Sequence, residues 1–131
     1  MTGSEHGIVD VRCHLPVAQT IDRLQTLAIA SGLTVFACID FSGDAQRAGL
    51  TMRPMQMLLF GNPRGGTPLM VAAPRAALDL PLKALAWEDA EGAVWLSFNA
   101  PEYLQTRHGF PPALIANIAG VRALVQKAAA P

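Results

Sequence analysis

The residues best suited to chemistry are a glycine-rich stretch, Gly61-Asn62-Pro63-Arg64-Gly65-Gly66-Thr67, and a few titratable side chains scattered around it. Two adjacent glycines ahead of a helix starting at Thr67 and Pro68 would leave backbone N–H groups open at the positive end of a helix dipole. That setting suits an anion, and Arg64 could add charge. The stretch lacks the Lys-Ser/Thr ending of a P-loop and the G-x-G-x-x-G spacing of a dinucleotide site, and strand-to-helix turns also take glycine for steric reasons alone. A ligand loop and a structural turn are both open readings.

Asp40 closes an apolar run, as strand-end carboxylates of binding sites do, while Lys83 and Glu88 open and close another strand where they could pair. His108 follows Arg107 in the last turn of a short helix, where a basic pair can serve chemistry or simply complement the helix C-terminus. Tyr103, Trp87 and Trp95 could wall a pocket, although aromatics in a hairpin usually form core. The candidate ligand-binding set is Asp40, Asn62, Gly65, Gly66, Thr67, Lys83, Glu88, Tyr103, Arg107 and His108. Two functions follow from it. One is a dimeric binding or sensing module that holds a small polar or anionic ligand near Asn62, Gly66, Thr67 and Arg107. The other is an enzyme in which His108 works with Asp40 or Glu88 as acid and base. A structural partner with no ligand is the third possibility.

Several chemistries lose support. There is no G-x-S-x-G elbow, no H-E-x-x-H, no C-x-x-C and no EF-hand loop. His6, His14 and His108 lie far apart, and Cys13 and His14 are strand neighbours facing opposite ways, so we expect no metal and no cofactor. Cys13 and Cys38 have neither disulfide nor zinc spacing and are expected as small buried hydrophobes. Lys plus Arg and Asp plus Glu are both 10, which argues against nucleic acid or an anionic membrane surface. Apolar residues make up 51% of the 131 and charged ones only 15%, so an apolar patch covered by a second copy is expected, hence a homodimer. Met1 to Glu5 lacks the basic start of a secretory signal and no apolar run is long enough to span a bilayer, which makes the cytoplasm the expected location.

The elements that must position these residues follow from periodicity. Ile8 to Leu15 alternates as a half-exposed strand, and Val17 to Ser31 carries one apolar helical face that Gly32 stops. Leu33 to Phe41 is apolar at nearly every position and reads as a central strand covered on both faces. Ser42 to Leu50 is a short helix or loop, Met55 to Phe60 a strand, and the helix at Thr67-Pro68 ends before Pro74. Leu82 to Glu88 and Ala93 to Asn99 flank Asp89-Ala90-Glu91-Gly92 as a hairpin; a four-residue loop would pair Trp87 with Val94 and Trp95 with Ala86 and turn the two indoles to opposite faces. Pro101 to Gly109 is a short helix, and Leu114, Ile115, Ile118, Val121 and Val125 trace a last amphipathic helix over about 112–129. The order βαβ(α)βαββαα makes the chain one α+β domain over 1–131, with a sheet of about five strands and helices packed on it.

The decapeptide Gly61-Asn62-Pro63-Arg64-Gly65-Gly66-Thr67-Pro68-Leu69-Met70 resembles the signature loop of the domain of unknown function 302 family. The resemblance continues through Leu78-Asp79-Leu80-Pro81-Leu82-Lys83, Trp87-Glu88-Asp89, Gly92 with Trp95, Pro101 with Tyr103-Leu104, and Arg107-His108-Gly109, and so covers roughly Gly32 to Gly109. It implies a fold and no activity. Phe41 stands after Ile39-Asp40 where the family often has His, which weakens any mechanism needing that His. Ala100 precedes Pro101 where an acidic cap is common, leaving Asn99 as the substitute cap.

Overall fold

The computed structural model describes residues 6–131 together with the short strand Thr2–Gly3. Its strands are β1 (Thr2–Gly3), β2 (Ile8–Cys13), β3 (Thr34–Asp40), β4 (Met55–Gly61), β5 (Leu82–Glu88) and β6 (Val94–Asn99). Its helices are α1 (Val17–Ala30), α2 (Phe41–Arg47), α3 (Pro63–Ala72), α4 (Pro101–His108) and α5 (Gly120–Ala129), with 3-10 turns at Pro74–Asp79 and Pro112–Asn117. The strands form one antiparallel sheet in the order β1-β2-β6-β5-β4-β3, so the fold is α+β, with five full strands and a two-residue one at the edge.

Alternation decides which face of the sheet is covered. Val9, Val11 and Cys13 of β2, Val94, Leu96 and Phe98 of β6, Ala84 and Ala86 of β5 and Leu58 and Phe60 of β4 share one face and are buried. Helix α1 lays Val17, Ile21, Leu24 and Ala28 on this face, and α5 adds Val121, Leu124, Val125 and Ala128. The other face carries Ile39, Met57, Leu59, Leu85, Trp87 and Trp95, all half-exposed.

Four sequence expectations fail here for local reasons. Strand β3 is an edge strand, not a central one: it pairs only with β4 among the described residues, its register slips between Val35 and Ala37, and Cys38 is exposed rather than buried. Trp87 and Trp95 face each other directly, because residues 89–93 make the hairpin loop one residue longer than expected, and both indoles sit on the same face. The stripe from Leu114 to Val125 is broken at residues 118–119. Leu114, Ile115 and Ile118 pack with Leu69, Ala76, Leu104 and Phe110 in a second small core, and only Gly120–Ala129 is α-helical. Asn99 does not cap α4: the cap position is Ala100, which makes no side-chain hydrogen bond.

Candidate functional site

The glycine-rich stretch is the first turn of a helix, which overturns its reading as an open loop. α3 starts at Pro63, the helix position that tolerates a missing N–H, and Asn62 is the cap, its Oδ1 accepting from the Arg64 N–H at 3.0 Å. Gly65 and Gly66 both donate their N–H groups to the Asn62 carbonyl, at 2.9 and 2.8 Å. The donors expected to cradle an anion are therefore engaged within the turn. Steric need explains Gly65 instead: a Cβ there would lie 2.9 Å from the Asn117 carbonyl oxygen, whereas one at Gly66 would meet only Leu80 Cδ1 at 3.8 Å. The Asn117 amide also donates to the Gly65 carbonyl at 3.2 Å, so the 3-10 turn Pro112–Asn117 docks on α3 at this point.

That docking leaves a cavity of about 480 Å3 between α3, the end of β4 and the start of α5. Phe60, Leu82, Ile118, Val121 and Leu124 make its apolar inner wall, with Phe36 half-exposed at the mouth. Asn62, Thr67 and Asn117 stand at the exposed rim, and Gly66 completes the wall. The Thr67 hydroxyl has no hydrogen-bond partner among the described residues and is open to solvent.

The remaining candidates do not converge on this cavity. Arg107 and His108 reach Asp79 instead: His108 Nε2 lies 2.5 Å, and Arg107 Nη1 3.0 Å, from the same Asp79 oxygen. Arg107 and His108 of this trio border a separate cleft. Asp40 and Glu88 sit at the opposite end of the sheet, a strand length of about 20 Å from Asn62 by the usual rise per residue. Asp40 caps α2, accepting from the Gly43 N–H at 3.0 Å and the Ser42 hydroxyl at 2.9 Å; these hydrogen bonds, the backbone one foremost, hold its carboxyl below the ordinary range. Glu88 pairs with Arg53 at 3.0 Å. Lys83 and Glu88 are five residues apart on one strand and so face opposite sides of the sheet, which rules out their pairing. Tyr103 packs over Gly7, where a Cβ would come within 2.1 Å of its ring, and lines neither cavity. An acid–base pair of His108 with Asp40 or Glu88 is thus replaced by His108 with Asp79.

Sequence reasoning missed Asp79, Arg75 and Asn117. Asp79 lay within the quoted Leu78-Asp79-Leu80-Pro81 run, but only the docking of α4 on the turn Pro74–Asp79 shows it to be the histidine's partner.

The architecture is that of a small α+β domain with helices on one face of an antiparallel sheet and an apolar cavity at the sheet's end. This chain belongs to the family described as "Domain of unknown function DUF302", whose model matches residues 9–129, beyond both ends of the stretch recognised by motif. The chain is 43% identical over 104 residues to "Fluoride-specific ion channel FluC 1" of Brucella suis biovar 1 (strain 1330), a match covering 79% of this chain and 41% of that protein. It is equally similar to "Fluoride-specific ion channel FluC 2" of Brucella melitensis biotype 1, covering 38% of that protein. The chain thus spans about two fifths of the length of these relatives. Its fold matches the crystal structure of an uncharacterized conserved DUF302 protein from Bacillus stearothermophilus with a TM-score of 0.76 at 20% identity, over 94% of this chain and 95% of the other. Among the described residues, no helix is long and apolar enough to cross a membrane.

Proposed function

We propose that the chain is a small-molecule binding module whose ligand enters the cavity beside α3 with an apolar body and places a polar end against Thr67, Asn62 and Asn117. The observation that carries this reading is the chemistry of the cavity wall, in which Phe60, Leu82, Val121 and Leu124 line one concave space with uncharged hydrogen-bonding groups only at its rim. It revises the polar or anionic ligand expected from the glycines, because their N–H groups are already bonded. The test is anilinonaphthalene sulfonate fluorescence with competition by alcohols and aromatic amides of increasing size. We expect saturable binding to the parent, weakened several-fold by Phe36→Ala and, for competitors with a hydrogen-bonding end, by Thr67→Val. Parent-like binding by both variants would sink the proposal.

The same reading includes a homodimer through the half-exposed sheet face. Ile39, Met57, Leu59 and Leu85 lie contiguously there, over a patch of roughly 10 by 15 Å across β3–β5. That is less than the ~800 Å2 each partner of a standard interface buries, so the dimer should dissociate on dilution, and Leu85→Lys should abolish it in sedimentation. A cytoplasmic location is consistent with two free thiols, one of them exposed.

A second reading draws on the Brucella relatives. A stretch 43% identical to this chain, which has no helix fit to span a membrane among its described residues, supports placing the ion path of those proteins outside the shared part. In this reading the chain is an accessory domain to a membrane channel. Affinity capture of a channel protein from detergent-solubilised membranes, together with greater fluoride sensitivity on deletion of the gene, would favour it; neither result would leave the first reading standing alone.

A further inference from the structure

We infer a second, independent site in the cleft beside His108, where a small oxyanion group, phosphate or carboxylate, is held between Arg75 and Arg107 and, when Nδ1 carries a proton, accepts a hydrogen bond from the imidazole. The cleft, of about 540 Å3, is bordered by Pro74, Arg75, Leu78, Arg107 and His108. His108 is built into it rather than hanging over it: its side chain is only 6% exposed, and its Nε2 is fixed by Asp79, itself 14% exposed. Asp79 thereby sets the tautomer, drawing the proton of neutral imidazole to Nε2 and leaving Nδ1 as the free nitrogen. Nδ1 has no hydrogen-bond partner among the described residues. Since none of their buried side-chain nitrogens or oxygens lacks a partner, Nδ1 is not fully buried, and the cleft that the ring borders is the surface we assign it to.

Charge at the cleft favours an anion. Arg75 makes no ion pair or hydrogen bond among the described residues, and Arg107 has one guanidinium nitrogen on Asp79 and four N–H donors' worth of fork still available to bind. Arg75 and Arg107 line the cleft while the one carboxylate beside it, Asp79, is paired with Arg107 and His108, leaving a net positive charge even with neutral imidazole. Every element packed around His108 agrees. Arg75 and Asp79 come from the turn Pro74–Asp79 and Arg107 from α4, while the turn Pro112–Asn117 and the α3 end at Ala72 and Ala73 contribute no titratable group. A proton on Nδ1 adds a donor and a charge, so oxyanion binding should tighten as the solution goes from alkaline to mildly acid pH.

The test uses inorganic sulfate, which keeps its charge across this pH range, and follows the His108 ring resonances by NMR. Sulfate should move those resonances saturably and bind more tightly at the acid end of the range than at the alkaline end. Arg75→Gln, a change at an exposed side chain that leaves the fold alone, should weaken binding about tenfold, as expected for loss of one charge-assisted contact. His108→Gln, followed through the backbone amide resonances around Arg75 and Arg107, should abolish the pH dependence. Methyl phosphate against acetate, compared in the same way, tells which oxyanion is preferred. Resonances unmoved by sulfate, parent-like binding by Arg75→Gln, or shifts spread over surface arginines elsewhere, the mark of an adventitious ion only, would each overturn the proposal. Phe36→Ala should not change sulfate binding, so this site and the apolar cavity stand or fall separately.

Discussion

Replacing each of the adjacent glycines of α3 by alanine should have opposite effects. Neither glycine has a positive φ, so neither is required for backbone conformation, and both lie within Pro63–Ala72, where alanine is favoured over glycine by about 1 kcal/mol. At Gly66 the new methyl meets Leu80 Cδ1 at 3.8 Å, an ordinary contact, so Gly66→Ala should stabilise by that amount. At Gly65 it would lie 2.9 Å from the Asn117 carbonyl oxygen, which is backbone and cannot rotate away. Overpacking of this kind costs about 1–3 kcal/mol, which outweighs the propensity gain and strains the Asn117-to-Gly65 hydrogen bond. The two variants should therefore differ by roughly 2 kcal/mol, or on the order of 5–10 °C in thermal midpoint by circular dichroism. If Gly66→Ala destabilised as much as Gly65→Ala, the helical account of this stretch would be refuted and the open-loop reading restored.

The two thiols should behave differently. Cys38 should react with an alkylating reagent in the native protein, faster as pH rises because partial burial, then the nearby Asp40 charge, raise its pKa, whereas Cys13 should react only after denaturation. Burial pushes the Cys13 thiol from 9.0 up to about 11; the raised value means its contribution to stability is whole below pH 9 and is lost as pH climbs to 11, by up to about 2–3 kcal/mol. Cys13→Ala should remove that alkaline slope from urea unfolding curves. Asp89, whose carboxyl is held below its ordinary pKa first by the Trp95 indole N–H at 3.0 Å and then by the Ala93 N–H, stabilises the hairpin above the ordinary carboxylate pKa and loses that effect as pH falls through its own. Asp89→Asn should lower the thermal midpoint at neutral pH and match the parent in strong acid. Gly7→Ala should cost about 1–3 kcal/mol in chemical unfolding, since Gly7 has φ +75° and the new methyl would overlap the Tyr103 ring.

Local signals were legible in the sequence wherever one element decides its own structure. Alternation placed β2, Pro16 and Gly32 bracketed α1, and the run from Leu82 to Glu88 ended where expected. Register and order were not legible. One extra loop residue moved Trp95 from Ala86 to Trp87, and the apolar run of β3 reads alike for an edge and a central strand, because only its partners tell them apart. The α3 start was misplaced by competition between two good caps, Asn62 before Pro63 and Thr67 before Pro68, and the earlier one begins the helix. Of the candidate site, Asn62, Gly66 and Thr67 do meet in one place. The hydrophobic wall they rim comes from β4, β5, α5 and the turn that precedes α5, and no spacing in the chain announces that convergence. Asp79 stayed hidden because a carboxylate's partner 29 residues away is a matter of tertiary packing.

The central claim is that the cavity beside α3 takes an apolar ligand, and the most direct measurement is NMR mapping of a bound apolar probe. Uniformly labelled protein titrated with anilinonaphthalene sulfonate should show its largest shifts at Phe36, Phe60, Thr67, Ile118 and Leu124, with Met57, Leu85 and Trp95 of the open sheet face little changed. Largest shifts at the sheet face, with the cavity residues still, would contradict the account.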